Sequence, residues 1–269
     1  MAAPHVLKNP LPILTRLSTR WLQAGPYKSG ALPAVSMSLL STSSTPSISP
    51  LPHHHHLHRA FSTTSPTMAA SKTFMDAVKE RRTYYALNDK APVSDDRIVE
   101  IVNDAVLHVP SSFNSQSTRV VLLLKEEHKK FWEMAKEVLK TMVPAEAFPA
   151  TEQKLDSFKA GYGSVLFFEN PVPVNDLQTR FPMYAQHFPT WSEHTSAMHQ
   201  FVLWAGLEAE GFGASLQHYN PIVDQKVQNE WNVPQEWALR AQLVFGGRAG
   251  EPGDKAYQPL EQRVFVHGK

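Results

Sequence analysis

The chain has 269 residues, with 26 Lys and Arg against 25 Asp and Glu, which is enough for one sizeable domain or two small ones. Cysteine is absent, and this excludes disulfides, zinc–thiolate sites, cysteine-ligated iron–sulfur clusters and thiol nucleophiles. Any redox chemistry must therefore come from a borrowed cofactor. Because residues 1–70 contain no Asp or Glu, the remainder is mildly acidic and gives no electrostatic reason to bind nucleic acid.

Residues 1–67 have the composition of a mitochondrial transit peptide, rich in Ser, Thr, Pro and Leu and free of acid. The run Arg59–Ser62 resembles a mitochondrial processing site and predicts cleavage between Phe61 and Ser62. Met68 offers an alternative start that would yield a cytosolic form. No apolar run reaches the roughly 18 residues that span a bilayer, so no stable membrane insertion is expected. The alternative is a disordered tail of chance composition.

From Ser71 onward, apolar residues recur at helical and strand spacings. Ser71 and Ser94 are predicted to cap two helices. In chain order, the other predicted elements are a buried strand at 120–124, a helix ending before Pro144, a helix around 155–162, a strand at 165–168, a long helix at 187–211, a strand at 214–216, a helix at 221–230 and a last core strand at 239–245. These predict one α+β domain over residues 68–269, a small mixed sheet flanked by helices. The long helix is apolar nearly all round at 201–205, which indicates a central position or a subunit interface.

Two polar segments carry the chemistry that the sequence suggests. The first helix ends in Arg81-Arg82-Thr83, and planar, permanently charged guanidinium forks suit a phosphate. The loop at 110–116 offers hydroxyls and amides suited to the edge of a heteroaromatic ring, on Ser111, Ser112, Asn114 and Gln116. Together the two segments predict a nucleotide-like cofactor. The alternatives are an exposed helix end and a loop that merely terminates a helix.

These segments recur in order with others at 158–161, 188–193 and 216–221 and with Lys255 and Arg263. From about residue 71 to the end, the chain thereby resembles the FMN-dependent nitroreductase family, in its short fungal and bacterial branch. The resemblance implies a homodimer with each FMN in a groove between subunits. It also implies NAD(P)H as co-substrate and ping-pong hydride transfer through flavin N5 to nitroaromatics, quinones or related aromatic acceptors. No catalytic side chain and no metal is implied, and no Gly-x-Gly-x-x-Gly fingerprint is present.

The resemblance also assigns roles to particular residues. Arg81 and Lys255 would hold the FMN phosphate, with Arg82 and Thr83 on the ribityl chain and ring edge. Ser111, Ser112, Asn114 and Gln116 would come from the partner subunit and bond the ribityl chain and pyrimidine edge. Lys159 would lie near flavin N1 and O2, since Tyr85 stands where better-known members often carry a basic residue. The backbone of Gln217, His218 and Tyr219 would approach N5, and aromatic walls would include Phe188 or Trp191 and Tyr219.

Three other interpretations remain open. The same scaffold could support reductive dehalogenation or flavin-dependent peroxide handling. A non-catalytic flavin-binding protein could respond to redox or lipid state. A helical scaffold could bind no flavin at all, in which case Lys159 is a solvated surface lysine.

Overall fold

The computed structural model describes residues 73–269. The predicted leader 1–67, the cleavage between Phe61 and Ser62, the start at Met68 and the Ser71 cap lie outside the described residues and stay predictions. Within 73–269, seven α-helices alternate loosely with five strands, which confirms the α+β class.

The helices and strands of this part of the chain have the following bounds. The helices are α1 Phe74–Glu80, α2 Asp95–His108, α3 Lys125–Met142, α4 Phe148–Lys159, α5 Pro171–Arg180, α6 Phe188–Ala209 and α7 Asp224–Glu230. The strands are β1 Leu87–Asn88, β2 Thr118–Leu124, β3 Gly163–Glu169, β4 Gly213–Gln217 and β5 Ala238–Arg248. Short 3-10 turns lie at Ser112–Asn114, Pro182–His187 and Leu260–Gln262.

Local sequence signals set several helix ends. Ser94 caps α2 as predicted, because its side chain accepts a hydrogen bond from the Arg97 amide. Thr73 does the same for α1 through the Asp76 amide. The long helix α6 ends where Gly211 adopts a φ of +98°, a left-handed conformation that glycine reaches without steric cost.

Strand β5 is the centre of the sheet. It pairs antiparallel with β3 along one edge, and with β4 and β1 along the other. Every ladder between named strands is antiparallel. In the described part of the chain, the parallel pairing expected of a mixed sheet is confined to an isolated bridge between Thr83 and Ala214.

Strand β2 pairs with β3 alone and is mostly half-buried. The prediction of a strand at 120–124 is confirmed, but the prediction that it is buried is wrong: an edge strand lacks one neighbour, and of these five residues only Leu123 is buried.

Both faces of β3 and β5 are covered by helices. Val165 and Leu243 pack in one apolar cluster with residues of α2 and α6. Leu166 and Val244, which point to the opposite face, pack in a second cluster with α3, α4 and α7. This alternation with period two explains why both strands read as continuous apolar runs.

Two segments between β3 and α6 were not predicted. Helix α5 begins at Pro171, a residue that suits the first helical turn, and the 3-10 turn at Pro182–His187 follows it. Val174 and Leu177 of α5 form a small satellite cluster with Phe188, the first residue of α6. Proline-rich sequence with weak periodicity gave no clear signal for either segment.

A buried histidine joins α3 to α4 and β3. His128 Nε2 lies 3.1 Å from the Phe158 carbonyl, which can only accept, so this nitrogen carries the proton. His128 Nδ1 then accepts from Ser164 Oγ at 2.9 Å, and Ser164 Oγ accepts from Trp132 Nε1 at 3.0 Å. Burial lowers the pKa of His128 to about 4. The network is fully satisfied only by the neutral imidazole.

We predict a pH-dependent loss of stability that traces to this histidine. Because its pKa is depressed on folding, the unfolded chain binds the extra proton, and stability falls as pH drops from 6.5 towards about 4. The loss attributable to His128 is roughly 3 kcal/mol in the free energy of unfolding. Urea titrations at a series of pH values give the free energy of unfolding of wild type and of His128→Gln. The loss due to His128 is the change with pH in the difference between the two. His267→Gln, at an exposed histidine, is the control, and parallel pH profiles for all three proteins would contradict the prediction.

Candidate functional site

Four of the predicted cofactor-binding residues line one cavity. Its volume is about 340 Å³, and its lining comprises Arg81, Arg82, Thr83, Tyr85, Gly253, Asp254 and Lys255. We call it the cationic cavity. The segment that follows α1 supplies the first four of these residues, and the exposed segment after β5 supplies the last three. Three cations against one carboxylate make this cavity suited to an anion.

The Arg81 guanidinium packs on an aromatic ring, but one of its nitrogens makes no hydrogen bond within the described chain. Its carbon lies 4.2 Å from the centre of the Trp204 ring, a cation–π contact. Its Nη1 atom is buried and has no hydrogen-bond partner. Arg82, in contrast, donates from Nη2 to the Gly253 carbonyl. A buried donor without an acceptor is rare, and a phosphate oxygen would satisfy it.

A buried carboxylate lies behind this pair of arginines. Glu208, near the end of α6, is 3% exposed; it accepts from the Arg82 amide at 2.9 Å and from Trp204 Nε1 at 2.7 Å. Burial raises the pKa of Glu208, while these two bonds and the charges of Arg248 and Arg81 act in the opposite direction. Sequence reasoning missed Glu208. The only signal was an acid in an otherwise apolar stretch, four residues after Trp204.

The loop at 111–116 lies elsewhere in the same chain. Phe113, Asn114 and Gln116 all have positive φ, near +50°, and Ser111 Oγ accepts from the Gln116 amide at 2.9 Å. This tight conformation leaves Asn114 and Gln116 exposed. Ser111, Asn114 and Gln116 line a second cavity of about 210 Å³, whereas Ser112 lies beside it in the 3-10 turn. The two cavities share no lining residue.

A second buried carboxylate fixes the end of that loop. Glu169 is the last residue of β3 and is 3% exposed. It accepts hydrogen bonds from Ser117 at 2.6 Å and from Thr118 and Ser192 at 2.5 Å. Three converging hydroxyls satisfy the charge without a cation. Sequence reasoning missed Glu169, since these four residues are brought together only by the β2–β3 pairing and α6.

The segment after β4 is partly committed to the core. Gln217 donates from Nε2 to Ser215 Oγ at 2.7 Å, and His218 is exposed. The Tyr219 amide donates to Gln242 Oε1 at 2.7 Å, so this amide is already in use. The Tyr219 ring lies 5.4 Å from the Trp132 ring and 6.3 Å from the Phe158 ring. The half-buried Tyr219 ring thus packs against α3 and α4, and its role as an aromatic wall stays a prediction.

Phe188 and Trp191 belong to an aromatic cluster beside the loop. Phe113 lies 5.4 Å from Phe188 and 6.1 Å from Trp191, and its ring is 53% exposed. Tyr184 lies 6.4 Å from Phe113. Phe188 and Trp191, which were predicted as aromatic walls of the site, therefore pack against Phe113 of the 111–116 loop.

Lys159 is not brought together with the other predicted residues. It lies at the end of α4, where its ammonium pairs with Glu133 and lies 3.7 Å from Asp156. It lines neither the cationic cavity nor the second cavity. The role near flavin N1 stays a prediction, and the structure gives this cation partners within its own chain.

Two kinds of feature were not found in the described part of the chain. No helix in 73–269 is both long enough and apolar enough to cross a bilayer. No group of three or more potential metal ligands occurs there either.

Comparison with known proteins bears directly on this arrangement. The model of the nitroreductase family matches residues 78–247. Nitroreductase FRM2 of Saccharomyces cerevisiae is 35% identical over 192 residues, which are 71% of this chain and 95% of FRM2.

Solved structures give the same result. Nitroreductase CinD of Lactococcus lactis has been solved with nicotinic acid (39% identity, TM-score 0.68) and with 4-nitrophenol (40%, TM-score 0.65). Each match covers 72% of this chain and all of CinD. A chain from Exiguobacterium sibiricum, solved in complex with FMN, shares the fold at 14% identity and a TM-score of 0.55, over 73% of this chain and 98% of its own length. This protein belongs to the nitroreductase family.

Proposed function

We propose that this protein is an FMN-dependent NAD(P)H oxidoreductase that acts as a homodimer and reduces nitroaromatics, quinones or related acceptors. The observation that carries the proposal is the cationic cavity, whose lining brings together Arg81, Arg82 and Lys255. Bound there, FMN would supply the ring that accepts hydride from NAD(P)H and passes it on in a ping-pong cycle. The co-substrate NAD(P)H needs no binding domain of its own in such a cycle.

The donor set fits the cofactor. Arg81 and Lys255 would bind the phosphate, and Arg82 and Thr83 would bond the ribityl chain and the ring edge. Charge-assisted bonds of this kind are about twice as strong as neutral ones. The backbone at Gln217 and His218 is the remaining candidate for contact with the ring. Relatives support the substrate class, because CinD binds 4-nitrophenol and nicotinic acid in its solved complexes.

A second copy would complete the site. The cationic cavity and the cavity at Ser111, Asn114 and Gln116 share no lining residue, which supports a site whose two halves come from two chains. A largely apolar groove of about 610 Å³ lies between α2 and α6, with Ile101 and Val202 in its lining. Apolar side chains are also exposed on the last segment, at Leu260 and at 264–266. Surfaces of this kind favour a protein–protein interface.

The first prediction concerns turnover. When FMN is added to the full chain under anaerobic conditions, NADH or NADPH should abolish the blue-light absorption of the bound flavin. Addition of a nitroaromatic or a quinone should restore it. If the protein stays yellow with both NADH and NADPH, the non-catalytic flavin-binding interpretation is the better one. If it takes up no FMN, the whole proposal fails.

The second prediction concerns cofactor retention. Arg81→Ala should raise the FMN dissociation constant at least about tenfold, because it removes a charge-assisted bond to the phosphate. Lys255→Ala should have a smaller effect, since its ammonium is exposed and screened. Lys140→Ala is the matched control, because it removes one cation at an exposed residue that lines neither cavity, and it should leave the constant unchanged. Equilibrium dialysis measures all three, and equal losses would contradict the assignments.

The third prediction concerns the homodimer. Val202→Glu introduces a charge into the groove between α2 and α6 and should convert the protein to a monomer, with loss of bound FMN. Val99→Glu is the control, since Val99 is similarly exposed on α2 but does not line the groove. Sedimentation velocity distinguishes the two species. A wild-type monomer that holds FMN, or a dimeric Val202→Glu variant, would contradict this interface.

Localisation to mitochondria belongs to the proposal as well. The basic, acid-free leader supports import, with cleavage between Phe61 and Ser62 and a possible cytosolic form from Met68. N-terminal sequencing of the protein isolated from cells tests both forms.

A further inference from the structure

Glu208 contacts both parts of the structure that hold Arg81. One carboxylate oxygen accepts from the Arg82 amide, the first backbone group after Arg81. The other oxygen accepts from the Trp204 indole, whose ring face supports the Arg81 guanidinium at 4.2 Å. A single buried side chain therefore fixes the backbone that carries Arg81 and the surface on which its guanidinium rests.

The backbone of the same residue anchors the neighbouring segment. The Glu208 carbonyl accepts from Arg248 Nη2 at 3.2 Å, and the Phe212 carbonyl accepts from Arg248 Nε at 3.0 Å. The Arg248 guanidinium in turn lies 4.6 Å from the centre of the Tyr84 ring. Tyr84 follows Thr83, so the whole run from Arg81 to Tyr84 is tied to the end of α6.

The carboxylate itself bonds to none of these arginine side chains. Both of its hydrogen bonds go to neutral donors, an amide and an indole. The Arg81 guanidinium is thereby oriented while its buried Nη1 stays without a partner. This arrangement favours the capture of an external anion over the formation of an internal ion pair.

We propose that Glu208 is a positioning residue that directs Arg81 at the phosphate of the bound cofactor. The inference rests on the proposed function, since it takes FMN as the ligand of the cationic cavity. Two physical effects of Glu208 on that phosphate have opposite signs. Its negative charge repels the phosphate, whereas its hydrogen bonds hold the phosphate-binding groups in place. The proposal states that the second effect is the larger.

Replacement of Glu208 by glutamine separates the two effects. Glutamine has nearly the same shape, but the Arg82 amide and the Trp204 indole bind different carboxylate oxygens, so one of these two donors would face the glutamine NH2 group, which is itself a donor. If repulsion dominated, Glu208→Gln would tighten FMN binding. If positioning dominates, it weakens FMN binding, by roughly tenfold for about one charge-assisted hydrogen bond lost to the phosphate.

The experiment compares FMN with riboflavin, which has the same ring and ribityl chain but no phosphate. Dissociation constants are measured by the quenching of flavin fluorescence on the full-length protein. Wild type should prefer FMN over riboflavin, and Glu208→Gln should lose most of this preference through weaker FMN binding alone. General damage to the fold would weaken both ligands together, and that result would overturn the positioning role.

Two further variants sharpen the comparison. Trp204→Phe keeps an aromatic surface but removes the indole donor, and should reduce the preference for FMN in the same direction. Glu210→Gln removes one charge from the same end of α6, where Glu210 pairs with Arg97 at 2.7 Å, and should keep the full preference. An equal loss in Glu210→Gln, or tighter FMN binding in Glu208→Gln, overturns the inference. A wild type that binds neither flavin, or both equally, instead refutes the phosphate site of the proposed function.

Discussion

The position of β5 constrains where this protein can form polar sites. The strand is hydrogen-bonded along both edges and covered by helices on both faces, so its middle is closed to a polar ligand. Arg248, the last residue of β5, donates to carbonyls of Glu208 and Phe212 and so fastens the end of the central strand to the end of α6. The cationic cavity is assembled around this junction.

Two cations of the same chain show why residue type alone does not decide a role. Lys159 lies within reach of Glu133 on α3 and Asp156 on its own helix, and its charge is compensated at the surface. Arg81 rests on an aromatic ring and keeps one buried nitrogen unpartnered. From the sequence both residues are cations at helix ends. The difference arises from which acids the fold brings near each of them, and periodicity carries no information about that.

The same distinction separates what could be predicted from what could not. Ser94 as a cap, the apolar runs of β3 and β5, and α6 are local or periodic signals, and the structure has these elements close to their predicted places. The half-buried state of β2 depends on its place at the sheet edge, which the sequence does not encode locally. The inward packing of Tyr219 depends on α3 and α4. The roles of Glu169 and Glu208 depend on pairings across 51 and 126 residues, beyond the range of motif reasoning.

Both buried glutamates accept hydrogen bonds from neutral donors and form no ion pair within residues 73–269. Removing a carboxylate from water is costly unless its oxygens are hydrogen-bonded, and an arginine would be the strongest donor. Here Glu169 takes hydroxyl donors and Glu208 takes an amide and an indole. Each acid thus stiffens the segment beside a polar cavity without an ion pair to its cations. Since the segments are ordered during folding, less ordering entropy remains to be lost when a ligand binds. The arginine charge stays available for that ligand.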